Sequence, residues 1–140
     1  MSADCFIDTH VFIYPLDSGD PAKQSIAKGI VRHALLHGSG CTSMQVVHEC
    51  MNTVLRKAHV RLSPAQAGAN LEAVLAPLVQ VPGTVALVQR ALGVQQRWGF
   101  SLNDALIVAA ALAAGCVRLL TQDLQHGQRV EGLTIENPFL

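Results

Sequence analysis

Between Ser101 and Asp123 the sequence leaves little choice of architecture. The run Asp104-Ala105-Leu106-Ile107-Val108-Ala109-Ala110-Ala111-Leu112-Ala113-Ala114 carries one charge, at its start, and stops at Gly115. A helix apolar on every side has to be buried. Val117-Arg118-Leu119-Leu120-Thr121 follows at once and reads as a short strand, apolar on both faces, the pattern of a central parallel strand. The segment therefore predicts a helix opening at Asp104, a stop at Gly115 and a strand ending near Thr121. Asp104 then heads the helix and Asp123 lies just past the strand, on the edge where open α/β sheets bind ligands.

The other segments continue the alternation. Cys5-Phe6-Ile7 is a short apolar strand ending at Asp8, and Val11 to Tyr14 a short helix or turn. Asp20-Pro21 joins a cap to a proline at the first helical position. Ile26, Ala27, Ile30, Val31, Ala34 and Leu35 keep helical spacing from there to Gly38. Cys41-Thr42 is a minimal second strand with Ser43 at its end. A helix from Met44 turns Val46, Val47, Cys50, Met51, Val54 and Ala58 inward and leaves Glu49 off that stripe. Ser63-Pro64 opens a helix that ends before Pro77, and Val79 to Val81 is a third strand. Thr84 to Arg97 is helical with Leu87, Val88, Ala91 and Leu92 inward, and Leu133 to Ile135 is the last strand. The order predicts an α/β fold of three layers, α/β/α, over residues 1–140 as one domain. Its central sheet is expected to be mostly parallel, with about five short strands.

Half of the 140 residues are hydrophobic and 14% are charged, which excludes a disordered chain and allows one sizeable core. Ten basic residues balance ten acidic ones, so bulk charge points to no polyanionic partner, and a local basic patch would have to supply one. Met1 to Asp8 carries no basic leader, and the apolar run from Ala105 to Val117 falls short of the ~18 residues of a membrane helix. A soluble cytoplasmic protein, without a membrane partner, is the expectation. Cys5, Cys41, Cys50 and Cys116 form no C-x-x-C pair and read as buried small hydrophobes rather than zinc ligands. His48-Glu49-Cys50 lacks the second histidine of a zinc-protease helix.

Four of the few acids stand at matching places. Asp8 and Asp123 follow strands, Glu49 is near the start of the helix after the second strand, and Asp104 opens the central helix. In a doubly wound sheet all four face one crevice. Clustered carboxylates repel unless a cation neutralises them, and a hard divalent ion such as Mg²⁺ suits oxygen ligands. Each acid alone has a plainer reading. Asp104 completes a Ser101-x-x-Asp104 capping box, Asp123 is a turn residue before Gly127, and Glu49 is a solvated helix residue. Asp8 resists such a reading, because a carboxylate ending an apolar strand is costly unless something pairs with it. The histidines have no ligand spacing, and His10 and His126 read as surface polar positions. Arg56, Lys57 and Arg61 are either a solvated face or a phosphate-contacting patch beside Glu49.

Phe6-Ile7-Asp8-Thr9-His10-Val11, Ser43-Met44-Gln45-Val46 with Glu49, Ser101 with Asp104-Ala105-Leu106-Ile107, and Leu120-Thr121-Gln122-Asp123-Leu124-Gln125-His126-Gly127 together resemble a PIN domain. They are most similar to the VapC toxins of bacterial toxin–antitoxin pairs, as is the ending Asn137-Pro138-Phe139. The resemblance spans nearly the whole chain. It implies a Mg²⁺- or Mn²⁺-dependent endoribonuclease in which Asp8, Glu49, Asp104 and Asp123 form the metal and catalytic site. Thr9, with Ser43 and Thr121, would support that site, and Arg56, Lys57 and Arg61 would meet RNA. It also implies a homodimer and a cognate antitoxin. Two residues depart from the family pattern: His10 replaces the usual Asn, and Asn103 stands where a bulky aromatic often precedes the acid.

The rival reading is a catalytically silent PIN-fold module that binds nucleic acid or protein. Mn²⁺ binding without cleavage of any RNA would favour it. A phosphatase of the haloacid-dehalogenase type requires Asp-x-Asp, but His10 occupies the second position. A receiver domain requires a lysine after a late strand, but the lysines are Lys23, Lys28 and Lys57.

Overall fold

Strand β1 (Cys5–Ile7) is apolar at every position because it runs through the middle of a sheet covered above and below. The molecule is described here as a computed structural model covering residues 3–140. The expected absence of a leader falls partly on Met1 and Ser2, which lie outside the described residues. After β1 come α1 (Thr9–Ile13), α2 (Pro21–His37), β2 (Gly40–Ser43), α3 (Met44–Arg56) and α4 (Pro64–Asn70). Then follow β3 (Val79–Val81), α5 (Val85–Trp98), α6 (Leu102–Ala113), β4 (Arg118–Leu120), β5 (Arg129–Val130) and β6 (Leu133–Glu136). The strand order is β3-β2-β1-β4-β6-β5, parallel throughout except for β5, which runs antiparallel to β6. The expected α/β sheet is present, and β5 adds a sixth strand. Two residues are too few for a sequence period to reveal it.

The two faces of the sheet are covered differently. Gly40 is paired with Cys5, and a Cβ built there would lie 2.8 Å from Ala34 Cβ on α2 and 2.8 Å from Ile7 Cδ1. Glycine at this point lets α2 close on the sheet. Phe6, Cys41, Leu119 and Ile135 alternate to the other side, and all four are fully buried. There α6 packs against β2 and β4, and α5 against α6. Six residues of α6 from Ala105 to Ala111 are buried, as its apolar composition requires.

Several boundaries and faces differ from the sequence reading. α6 begins at Leu102 rather than Asp104, because Ser101 Oγ accepts from the Asp104 N–H and makes Ser101 the cap. On α5 the buried residues are Leu87, Ala91 and Val94, while Val88 and Leu92 are exposed. α5 packs mainly on α6, so only a narrow stripe is covered, and spacing alone does not fix which stripe. Ile26 and Leu35 of α2 are likewise exposed, and Ala58 lies beyond α3 on the surface. After α4 the chain loosens into a π turn over Leu71–Leu75 and a 3₁₀ turn over Ala76–Leu78, where Pro77 has no N–H to continue an α-helix. β5 and β6 are joined by Glu131 and Gly132, both with positive φ (51° and 89°), the backbone of a two-residue hairpin turn. All four cysteines are free and buried, and burial pushes the Cys5 thiol up to about 12. Among the described residues no helix is long and apolar enough to cross a membrane.

Gly40→Ala is expected to cost ~1–3 kcal/mol, the usual range for overpacking, because Ala34 Cβ is fixed to a helix and cannot rotate aside. Urea unfolding would register this as a lower midpoint at unchanged slope. An unaltered midpoint would show that α2 can shift freely on the sheet.

Candidate functional site

The register of three strands assembles the first part of the site. Ile7 pairs with Leu120 across β1 and β4, so Asp8 stands level with Thr121. The Asp8 N–H donates to Leu120 O at 3.0 Å, which extends the ladder by one bond. Thr121 Oγ1 then donates to Asp8 Oδ2 at 2.8 Å, and the Thr9 N–H donates to Asp8 Oδ1 at 2.7 Å. Asp8 is buried, 6% exposed, at the crevice where the chain's path across the sheet reverses between β1 and β4. Burial is the main reason its carboxyl pKa is raised. The two hydrogen bonds pull it back, and the neighbouring charges of Glu49 and Asp123 push it up further.

Glu49 reaches the same place from α3. Thr9 Oγ1 donates to Glu49 Oε2 at 2.6 Å, so Thr9 serves Asp8 with its backbone and Glu49 with its side chain. The other oxygen, Oε1, accepts from Gln45 Nε2 and Asn103 Nδ2, each at 3.1 Å. Gln45 Nε2 also lies 3.0 Å from Asn103 Oδ1, tying the start of α3 to the start of α6. Glu49 is thus an ordered member of a network, not the solvated helix residue of its plainer reading. Asn103, a departure from the family pattern, orders it together with Thr9 and Gln45.

Asp104 and Asp123 are held more loosely. Only half of the expected capping box forms: Ser101 Oγ accepts from Asp104 N, and no bond to the Asp104 carboxylate is present among the described residues. Asp123 donates its N–H to Thr121 Oγ1 at 3.1 Å, and its side chain is about half exposed. Its Oδ2 lies 3.3 Å from His10 Nδ1, within ion-pair distance, yet the imidazole is not aligned for a hydrogen bond. That Nδ1 is buried and unpartnered although the ring as a whole is 37% exposed. The distance establishes proximity, and the misalignment establishes that the contact is not a formed hydrogen bond.

The supporting residues divide. Thr9 and Thr121 touch the acids, whereas Ser43 caps α3 by accepting from Val46 N at 3.4 Å and bonds to none of them. Arg56 and Lys57 share an open hollow with Asn52 and Thr53 on α3, beginning one turn beyond Glu49, and Arg61 is exposed past the helix. Sequence reasoning missed Gln45 and Asn103 as organisers of Glu49, and it placed His10 on the surface. It also missed a cluster beside His10 in which Tyr14 OH donates to Gln122 Oε1 at 2.9 Å and Tyr14 packs edge-on against Phe139. Only the resemblance of Gln45 and Phe139 to family positions hinted at either.

The donor set suits a hard divalent cation. The charges of Glu49 and Asp123 bear on the buried Asp8 carboxyl, and no lysine or arginine pairs with Asp8, Glu49, Asp104 or Asp123 among the described residues. The orphaned His10 nitrogen is a further free donor. As the side chains stand, no three His, Cys, Asp or Glu groups among the described residues converge tightly enough to enclose an ion.

A PIN domain family model matches residues 5–131. No curated protein matches the chain by sequence. Among solved structures, a toxin–antitoxin complex from Klebsiella pneumoniae superposes with a TM-score of 0.67 at 19% identity, covering 96% of this chain and 97% of that one. VapC20 of Mycobacterium tuberculosis, described as a sarcin-ricin loop cleaving toxin, gives 0.60 at 22% identity over 85% and 91%. VapBC2 of Rickettsia felis, bound to a DNA fragment from its promoter, gives 0.63 at 16% identity over 95% and 97%. At such identities the likeness is one of fold.

The raised pKa of Asp8 fixes the sign of one experiment. A carboxyl that holds its proton more tightly when folded favours the native state while protonated, and that advantage is lost as pH rises through the raised value. Without divalent ions, Asp8 ionised above that raised value disfavours the native state. Asp8→Asn is expected to raise the Tm of the metal-free protein by ~2–4 °C, the scale of ~1 kcal/mol, at the alkaline end of a pH series, with the gain shrinking toward the ordinary carboxyl range. A lower Tm for the variant across that series would refute the burial cost assigned to Asp8.

Proposed function

Because the chain belongs to the PIN domain family, we propose that it is a metal-dependent endoribonuclease and the toxin of a VapBC-type pair. The observation that carries this reading is the buried Asp8 carboxylate at the strand-order reversal, beside two further acids, with no lysine or arginine paired to them among the described residues. Asp8, Asp104 and Asp123 would hold Mg²⁺ or Mn²⁺, and Glu49 would hold a second ion or orient the attacking water. The exposure of Asp123 and the free carboxylate of Asp104 leave both able to swing inward. When bound, such an ion activates water and takes up charge on a phosphoryl oxygen. Asp8 is fixed by Thr9 and Thr121, and Glu49 by Thr9, Gln45 and Asn103, so neither has to be ordered during the reaction. Arg56, Lys57 and Arg61 would take the RNA backbone along α3. In-line attack of water on the phosphodiester would leave 5′-phosphate and 3′-hydroxyl ends.

The toxin–antitoxin titles of the structural neighbours support an antitoxin partner, and the RNA-cleaving title of one supports the substrate class. A homodimer is supported by the exposed apolar stripe Val85, Val88 and Leu92 on α5, whose spacing presents one helical face. The chain is expected to act as a single domain, and light scattering at micromolar concentration should report a dimer. A monomer with no partner bound would refute the dimer.

Two measurements test the site. A divalent ion that binds only the native state adds ~2.7 kcal/mol at a hundred times its Kd, so Mn²⁺ should raise the Tm, and Asp8→Asn with Asp104→Asn should erase the rise. Asp104→Asn alone keeps the backbone donor to Ser101 and removes the charge. Cleavage of total cellular RNA should then fall at least ~100-fold while circular dichroism stays unchanged. Near-parental cleavage by the folded variant would remove Asp104 from the site. Mn²⁺ binding by the parent with no cleavage of any RNA would favour the silent binding module instead.

A further inference from the structure

His10 stands one residue past Thr9 on α1 and brings a buried ring nitrogen close to Asp123. Its Nδ1 lies 3.3 Å from Asp123 Oδ2 with no hydrogen bond formed to any described group. A buried imidazole nitrogen left in this state costs free energy unless something else takes its lone pair or its proton. The neighbouring Tyr14 hydroxyl is already engaged, donating to Gln122 Oε1. Two ligands ~2.1 Å from one ion and at right angles lie ~3 Å apart, close to the observed nitrogen–oxygen separation. A hydrogen bond would give a similar distance, but it requires the alignment that is missing here.

We propose that His10 Nδ1 and Asp123 Oδ2 ligate the same ion. The centre is then a mixed nitrogen–oxygen site that takes a divalent transition ion, for which Mn²⁺ serves as the spectroscopic probe, in preference to Mg²⁺. The proposal rests on reading the four acids as a metal site and specifies which ion they select. Mg²⁺ holds to oxygen ligands and water, whereas an imidazole donor adds affinity along the transition series. The competing role for His10 is to orient Asp123 from outside the coordination sphere, with only oxygen atoms meeting the ion.

The two roles separate spectroscopically. Mn²⁺ is titrated into the full chain and the bound ion examined by pulsed electron paramagnetic resonance. A ligating imidazole gives nitrogen hyperfine modulation, and His10→Asn should abolish it. The variant should also lower the Mn²⁺-over-Mg²⁺ affinity ratio, measured by competition, by ~10-fold or more. Bound Mn²⁺ without nitrogen modulation in the unsubstituted protein would overturn the proposal and leave the acid site standing. So would modulation that persists in His10→Asn. Should that variant fail to fold, His10→Gln replaces it, and modulation that survives in folded His10→Gln would overturn the proposal equally. No Mn²⁺ binding by the unsubstituted chain would overturn this inference and the acid site together.

Discussion

Putting a carboxylate into the interior at the end of a central strand constrains everything around it. Asp8 is tolerable there only because a backbone N–H and a threonine hydroxyl both point at it. The N–H is available because the chain turns into α1 immediately after β1. The hydroxyl is available because β4 pairs with β1 in a register that sets Thr121 level with Asp8. A slip of one residue between these strands would exchange Thr121 for Leu120 or Gln122 and reverse which side chains face the crevice. Thr9, the next residue along, reaches Glu49 of α3 with its side chain. One buried acid thus couples the sheet, the first helix and α3.

The acid edge is unequal as a result. Asp8 and Glu49 are tied down by five hydrogen bonds from four residues, with Thr9 contributing to both. Asp104 and Asp123 are at the looser end, one with a free carboxylate and one on an exposed loop. A cation held here, as proposed, would meet a rigid half and an adjustable half. The free energy of such binding would have to include ordering the second half, which would tie affinity to the loop after β4.

Much of this was legible in the chain because the signals were absolute rather than periodic. An all-apolar helix, strands apolar on both faces and acids just past their ends fixed the layers and singled out the acid-bearing edge without reference to a helical wheel. What failed was the choice among faces. Val88 and Leu92 satisfy the helical period as well as Leu87 and Ala91 do, and only the position of α6 decides between them. Asn103 and Gln45 were hidden for a related reason: their roles depend on α3 and α6 starting side by side, a tertiary fact with no local pattern. Ser43 sits at the right strand end but turns to its own helix, since a nearby N–H satisfies a serine hydroxyl more readily than a distant acid. His10 looked like a surface residue because periodicity cannot report that one atom of a half-exposed ring is sealed.

The short hairpin that ends the sheet bears on how copies of this chain can meet. Parallel strand β6 would otherwise offer an open row of N–H and C=O groups to any passing strand. β5 covers that row, and being two residues long it offers almost no row of its own. At the opposite margin β3 is three residues long and runs straight into Pro82. With both margins too short to template a neighbour, sheet extension is closed off as a mode of self-association. Contacts between copies, and the hazard of runaway polymerisation that continuous sheets carry, are thereby channelled to helical surfaces, where a two-fold arrangement can close on itself.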